Sequence, residues 1–398
     1  MGGELARAAV SLKPQSHRGG VVGRPIKKES GKWLVRYRDP SGRQLEKTFD
    51  RKGVADAFSA TVEADKSRGT YRDPKAARVT VRQFLTEYVD GMSGEPGTLE
   101  RYRVILDKHV LPTLGNYRLD QLRRSHLQAW VKGLTDSGLA PSTVANYFKV
   151  LAGWLKVAVT DDLLTKNPCA DVAVPRVPKR QVVPLSPQQV AAIIRETPEQ
   201  YRAMVLLTAA TGLRQAEAFA VTTSRLNMLG RSLRVDRQVT SGPRRPPAIV
   251  ERTKTEASNR TIPLPTEAVD VVAAHLARFP VSSVHDPIFT TVTGALLRRG
   301  AFNEMWKATL RRAGVPDTRE HGFHALRHYY ASSLIAAGLN AKVVQSRLGH
   351  ASITETFDTY GHLFPEAEEQ TREAASAALA AVFAADAELV LTSAVTGK

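Results

Sequence analysis

Residues 350–362 read HASITETFDTYGH. Tyr360 closes a short helical pattern there, with His350 ten positions before it and His362 two after. Ile353, Phe357 and Tyr360 stand at i, i+4 and i+7 and so share one helix face. Two readings of Tyr360 follow. It is the last apolar residue of an amphipathic helix, with a wet hydroxyl, or it is a nucleophile. The choice depends on what the rest of the chain brings to it.

The chain has 398 residues, enough for two or three domains, and 42% of them are hydrophobic, enough for real cores. There are 56 Lys+Arg against 39 Asp+Glu, a formal charge of +17. Such an excess suits a polyanionic partner, nucleic acid first, although a merely basic protein would show it too. The single cysteine, Cys169, excludes an intrachain disulfide and argues against a zinc cluster. No apolar run is long enough to span a bilayer, and the N-terminal segment reads as a basic lead-in rather than a signal peptide. A cytoplasmic, nucleoid-associated protein that uses no metal and no cofactor is expected.

The pattern along the chain is mainly α with small β elements, spread over several domains. After a lead-in over 1–25, the stretch IKKESGKWLVRYRDPSGRQLEKTF (26–49) alternates strictly. Trp33, Val35 and Tyr37 face one way; Lys32, Leu34, Arg36 and Arg38 face the other. DPSG turns the chain, and a helical segment follows. A hairpin with one helix over 26–72 either lays its basic face on DNA, as β-ribbon readers do, or is an ordinary half-buried hairpin with a solvated face. Residues 71–78 read as a linker. From 79 to 174 the pattern is all helical, with Val144, Phe148, Leu151, Leu155 and Ala158 as one apolar stripe and Arg101, Arg103 and Lys149 on other faces. A proline-rich connection, 175–185, leads to a mixed α+β region over 186–364. In it a helix ends at Gly212, strands are expected within 225–264, and five helices follow, several closed by glycine (Gly314, Gly338, Gly361). The tail, 365–398, is rich in alanine and carries a Leu379–Val382–Phe383 stripe.

Four stretches of the last 190 residues place charge where packing is expected. TGLRQAEAFAV puts Arg214 just past a helix end with Glu217 three residues on; RTKTEASNRTIPL puts Lys254 in an expected hairpin turn and Arg260 behind it. HALRHYY sets His324 and Arg327 at i and i+3 on one helix face. The fourth stretch holds His350 and Tyr360. A phosphodiester under attack needs bidentate permanent cations on its non-bridging oxygens, which is arginine's geometry. It needs them in place before charge develops. A leaving alkoxide needs a proton, which a lysine can give, and histidines can donate to phosphate oxygens or move the proton. A tyrosine, of pKa about 10, ionises only near positive charge. Taken singly each residue has a bland explanation: a capping arginine, a solvated lysine, a capping histidine.

Their order and spacing, over about 150 residues, resemble the tyrosine recombinase family and its phage and mobile-element integrases. TGLRQAEAFAV is similar to the first-arginine motif, TKTEASNRTIPL to the β-hairpin lysine motif, HGFHALRHYYASSLIAAG to the His-x-x-Arg helix, and LGHASITETFDTYGHLFP to the final histidine and nucleophilic tyrosine. The resemblance extends to the arm-binding domain at 26–72, the core-binding domain at 79–174 and the catalytic domain at 186–364.

What the resemblance implies is a metal-free, covalent reaction. Tyr360 attacks the scissile phosphate to leave a 3′-phosphotyrosine and a free 5′-hydroxyl. Arg214 and Arg327 clamp the phosphate, Lys254 is the general acid, His324 and His350 assist, and Glu217 orients Arg214. His328 and Tyr329 read as packing residues, His362 as a surface residue, and Arg260 as a phosphate contact or a solvated charge; Lys32, Arg36, Arg38, Arg101, Arg103 and Lys149 are further candidates to touch DNA. A homo-tetramer on double-stranded DNA would exchange strands through a four-way junction, with accessory bending and directionality proteins and with the tail packed on a neighbouring protomer or in cis. The arm-binding domain favours integration and excision of an element over dimer resolution. A type IB topoisomerase and a non-catalytic DNA-binding regulator are the rivals from other classes.

Overall fold

The computed structural model describes residues 23–38, 43–67, 79–178, 181–242, 245–251, 259–364 and 368–396. The chain divides into two compact units, Met1–Pro178 and Lys179–Lys398.

The first unit opens with an antiparallel sheet in the order β1 (Ile26–Lys27), β2 (Trp33–Arg38), β3 (Gln44–Phe49), followed by α1 (Lys52–Ser67). Val35, Tyr37 and Leu45 are buried with Ala55 and Val62 of α1, and the Phe58 ring meets Tyr37 at 5.6 Å and Phe49 at 5.0 Å. The expected hairpin therefore has a third strand, two residues long and too short for alternation to reveal. Its Ile26 lies opposite Leu34. Leu34 is buried even though it alternates onto the basic face.

Four longer helices follow in this unit: α2 (Val81–Asp90), α3 (Pro96–Ile105), α5 (Arg124–Asp136) and α6 (Pro141–Thr160), with the single turn α4 (Leu111–Leu114) between α3 and α5. Thr80 and Gln83 form a reciprocal capping box at the start of α2. Within the all-helical pattern, the run from α3 into α4 is interrupted by a π-turn at Leu106–Val110, whose last bond runs from the Leu111 N–H to the Leu106 carbonyl. Pro112 has no N–H to continue an α-helical ladder, which accounts for the change of register. The His109 carbonyl there accepts the Trp130 indole N–H at 2.6 Å. The α6 stripe packs as expected at Val144, Leu151, Leu155 and Ala158, joined by Trp154; Phe148 is only partly buried.

The second unit is mixed. Helices α7 (Pro187–Glu196) and α8 (Glu199–Thr211) lead through Gly212 to the short α9 (Gln215–Ala218). Five strands form two small sheets: β4 (Leu226–Asn227), β5 (Ser232–Val235) and β8 (Arg260–Pro263) in one, β6 (Gln238–Gly242) and β7 (Arg245–Val250) in the other. The run 233–239, which reads as one strand, divides at Asp236–Arg237. Asp236 gathers Arg225, Arg234 and Arg237 within 3.2 Å, and that inward-facing charge cluster breaks the alternation. Helices α10 (Thr266–Arg278), α11 (Arg299–Arg312), α12 (Ala325–Ala336), α13 (Ala341–Leu348) and α14 (Ile353–Tyr360) follow, then α15 (Glu368–Thr396). Gly314 and Gly338 take the left-handed conformation expected past a helix end, whereas Gly361 stays right-handed and continues into a tight turn over Gly361–Leu363. Leu379, Val382 and Phe383 of α15 are exposed. Among the described residues no helix is long and apolar enough to cross a membrane.

Candidate active site

Two backbone turns in the second unit hold the site. Helix α8 ends at Gly212, with φ +65°, and α13 ends at Gly349, with φ +66°. Arg327, on α12 and only 1% exposed, gives Nη1–H to the Gly212 carbonyl at 2.8 Å and Nη2–H to the Leu348 carbonyl at 2.7 Å. Arg214 gives Nη2–H to the Gly349 carbonyl at 3.0 Å. The two arginines of separate motifs are thus pegged to the same pair of turns, 135 residues apart in sequence for the Arg214–Gly349 contact.

A buried carboxylate fixes Arg214 from its other side. Glu217 accepts the Arg214 backbone N–H at 2.9 Å and its Nη1–H at 2.9 Å. It also accepts Arg260 through Nη1 at 3.2 Å and Nη2 at 2.8 Å. Burial alone would raise the Glu217 carboxyl; the hydrogen bonds and charges of Arg260 and Arg214 outweigh it and hold the group at about 2. Arg260 gives its Nε–H to the Arg347 carbonyl at 2.8 Å. The expectation that it meets phosphate or solvent is corrected: it is a buried brace between Glu217 and α13. Three guanidiniums against one carboxylate leave the pocket with a surplus of positive charge, a receptor for an anion.

His350 follows Gly349 and is 6% exposed; its Nδ1 pairs with the Thr356 hydroxyl at 2.8 Å. Burial first, then Arg327, Arg214 and Arg260, push it down to about 3, so it is neutral at physiological pH. His324 precedes α12 at the solvent rim. It is held below the ordinary histidine range by desolvation first and then by His328, Arg327 and Arg214, a shift its open side moderates.

Tyr360 ends α14 and is 1% exposed. The face of α14 turned inward carries Thr356 and Tyr360, spaced i, i+4, while Phe357 is 52% exposed and leans on Phe364. The expectation that Phe357 shares the buried face is corrected, because the hydroxyl that His350 engages sits one position earlier. The Tyr360 ring lies parallel to that of His350 at 6.4 Å, and its hydroxyl meets His328 Nδ1 at 2.9 Å. Burial raises the phenol to about 12 against the opposing pull of Arg327 and Arg214. His328, read from sequence as packing, is therefore in direct contact with the candidate nucleophile. Its place one turn after His324, at i+4, is the signal that could have found it.

The remaining candidates lie apart from this cluster. Lys254 falls outside the described residues. In the first unit Lys32 pairs with Asp50, Arg36 with Glu46 and Arg103 with Asp90. Arg38 is exposed on β2. Arg101 and Lys149 line a groove with Tyr88, Tyr102 and Trp154. His362 is exposed, as expected, and its Nε2 lies 2.9 Å from the Val182 carbonyl.

Comparison with known proteins agrees with this geometry. Residues 184–367 match the phage integrase family, and residues 80–135 match the N-terminal SAM-like domain of phage integrases. A tyrosine recombinase XerC-like protein of Caldanaerobacter subterraneus is 28% identical over 69% of this chain and 76% of its own length. The integrase of Mycobacterium phage FRAT1 is 27% identical over 71% of this chain and 84% of its own. Among solved structures, the Tn1549 transposon integrase in complex with circular intermediate DNA aligns with a TM-score of 0.63 at 22% identity, covering 76% of this chain and all of that one. A lambda integrase tetramer bound to a Holliday junction aligns at 0.56 and 19% identity, covering 83% and 96%. These structural likenesses are of fold. The sequence matches, spanning more than half the chain and falling on the motifs that build the arginine–histidine–tyrosine pocket, place it in the phage integrase family of tyrosine recombinases.

Proposed function

We propose that this chain is a site-specific recombinase that integrates and excises a phage or mobile element. The observation that carries the reading is the convergence of three separate motifs: Arg214 and Arg327 are bonded to the Gly212 and Leu348–Gly349 turns, His350 follows Gly349, and Tyr360 and His324 meet around His328. The matching of integrases by sequence supports the mobile-element branch over a dimer resolvase, and nothing in the pocket favours a regulator that only binds.

The chemistry follows from the pocket. Arg327 and Arg214 spend two and three of their donors, respectively, on carbonyls and on Glu217. Side-chain donors remain on each, and their charges stay in place for the two non-bridging oxygens of a phosphodiester. Neutral His350, with Nδ1 accepting the Thr356 hydroxyl, would carry its proton on Nε2, which lies 3.8 Å from the half-exposed Glu355 carboxylate and would turn that N–H to a phosphate oxygen. Tyr360 attacks phosphorus, and its oxygen becomes the phosphate ester of a 3′-phosphotyrosine. Lys254 protonates the departing 5′-oxygen. Attack by another 5′-hydroxyl reverses the step in the recombined arrangement, so the phosphodiester energy is retained.

Around that centre, the 26–72 domain would hold distal arm sites, the 79–174 domain would grip the core site with the 186–364 domain, and a homo-tetramer would assemble on DNA with accessory proteins in the cytoplasm. Residues 365–398 would dock on a neighbouring protomer through Leu379, Val382 and Phe383. The tetramer on DNA is supported by lambda integrase, which is recorded both as a dimer on a core site and as a tetramer on a Holliday junction.

The test is covalent trapping. Cells expressing the protein are stopped with detergent, and protein-linked DNA is isolated and sequenced beside Tyr360→Phe. Adducts at one or two discrete loci, absent in the variant, are expected. DNA binding without any adduct, accessory factors present, would refute the enzyme reading.

A further inference from the structure

We propose that His328 is the group that takes the proton from the Tyr360 hydroxyl as that oxygen attacks phosphorus. The inference rests on the recombinase reading and adds a residue to it.

The contact itself is the first argument. His328 Nδ1 and Tyr360 Oη are 2.9 Å apart, a hydrogen-bond distance, and the rings meet edge to face at 5.6 Å. The second argument is exclusion. Tyr360 is 1% exposed, so bulk water does not reach it to carry the proton away. The His350 ring is parallel to that of the tyrosine with centroids 6.4 Å apart, its Nδ1 is paired with the Thr356 hydroxyl, and its Nε2 lies 3.8 Å from Glu355 Oε1. His324 meets His328 edge-on at 4.8 Å, one residue further from the phenol. The titratable and charged groups around the His328 ring are thus His324 just before its helix, Arg327 on it and Tyr360 from α14.

Electrostatics then set the timing. In the protein by itself burial, followed by the Arg327 charge, holds His328 at about 4 while burial holds Tyr360 at about 12. Proton transfer between them is then strongly unfavourable, and the nucleophile is kept as a neutral phenol. A phosphodiester seated between Arg214 and Arg327 brings the negative charge that offsets Arg327. The same approach makes the tyrosine oxygen an ester oxygen rather than a bare phenolate. Transfer becomes favourable only with the substrate in place.

Written out, the O–H bond of Tyr360 breaks and its proton passes to His328 Nδ1. The Tyr360 oxygen uses its electron pair to form the O–P bond. The P–O5′ bond breaks, and the departing oxygen takes a separate proton from the general acid. In the rejoining step an incoming 5′-hydroxyl gives its proton back to the general acid as its oxygen attacks phosphorus, the O–P bond to Tyr360 breaks, and His328 returns its proton to the tyrosine oxygen.

Two measurements on the full chain test this. The first needs no DNA: imidazole 15N spectra of the histidine-labelled protein, with His328→Asn and Tyr360→Phe to assign the signals. The expected result is His328 neutral near pH 7 as the Nε2–H tautomer, with an accepting Nδ1 whose shift changes in Tyr360→Phe. An Nδ1–H donating to the tyrosine oxygen would overturn the proposal. The second measures single-turnover adduct formation on a nicked duplex carrying a locus at which the wild-type protein is trapped. Asn places an amide oxygen near the Nδ1 position and cannot carry a proton on. His328→Asn should bind the duplex normally yet form adduct about 100-fold slower, and lose the acid limb of the pH–rate profile. A rate within threefold of wild type would reduce His328 to a positioning residue and overturn the proposal. Failure of wild-type protein to form adduct on any DNA would refute the recombinase reading, and the tautomer result would then decide the hydrogen bond alone.

Discussion

Glu217 and Arg260, 43 residues apart, face each other through two hydrogen bonds at 2.8 and 3.2 Å with both side chains about 5% exposed. A buried pair of this kind is costly to break from one side, because the surviving charge is left without a partner; the loss is about 3–5 kcal/mol. Arg260→Ala should therefore lower the melting temperature markedly. It should also reduce adduct formation, since Glu217 orients Arg214. Its effect on DNA affinity should be small at temperatures where the variant is folded, as the guanidinium is committed to Glu217 and the Arg347 carbonyl. An affinity loss as large as that of Arg214→Ala, in a gel shift on folded protein, would show that Arg260 reaches DNA.

The pocket predicts an acid-labile protein, and the sign follows from proton binding. His350 and His328 sit at about 3 and about 4 when folded, against an unperturbed value near 6.5. Between those values the unfolded chain binds protons that the native chain refuses, so stability falls as pH drops below about 6.5. Glu217, at about 2 when folded, adds a second loss that begins below its unfolded value of about 4.3 and runs towards pH 2. In urea unfolding between pH 7 and pH 5, His350 and His328 should account for roughly two of the protons taken up, with a further share from His324. For the first two that is at most about 2.7 kcal/mol per pH unit. His328→Asn should remove about one of these protons; an unchanged pH slope in that variant would contradict the neutral assignment.

Much of this site was legible in the sequence because its motifs are local. Arg214 with Glu217 is an i, i+3 pair, and His324 with Arg327 is another, so one short stretch reveals each. Other parts depend on long-range geometry. Arg260 reads as a strand arginine, and only the approach of β8 to α9 and α13 makes it a brace. His328 is one residue from Arg327 in sequence, and its role depends on α14 crossing α12. Alternation failed at 233–239 because Asp236 faces inward to three arginines. Periodicity misjudged α14 because Phe357 looks apolar enough to be core, whereas the buried position is taken by Thr356, which His350 requires.

Gly212 is a position where backbone and side-chain arguments coincide. Its φ of +65° disfavours any L side chain, and an added Cβ would lie 2.4 Å from Tyr330 Cδ1 and 3.1 Å from Leu348 Cδ2. Its carbonyl also receives Arg327. Gly212→Ala should cost about 2–4 kcal/mol, combining the left-handed strain with overpacking. Adduct formation should fall beyond what the lost stability explains, because the turn carries the carbonyl that pegs Arg327. Chemical unfolding and single-turnover trapping on the same preparation check both; a variant with wild-type stability would mean the turn relaxes freely.

The inward face of α14 can be tested by a pair of neighbours. Thr356→Val keeps the shape of the side chain but removes the hydroxyl that pairs with His350 Nδ1, leaving a buried nitrogen unsatisfied at a cost of about 1–3 kcal/mol. His350 would then be free to rotate, and adduct formation should drop at least tenfold while DNA binding is kept. Phe357→Ala removes a larger side chain from the exposed flank, where only its contact with Phe364 is lost. It should change stability by less than about 1 kcal/mol and leave cleavage near wild type. The reverse ranking, with Phe357→Ala the more damaging to cleavage by the isolated protein, would mean that α14 turns its apolar stripe inward when it cuts.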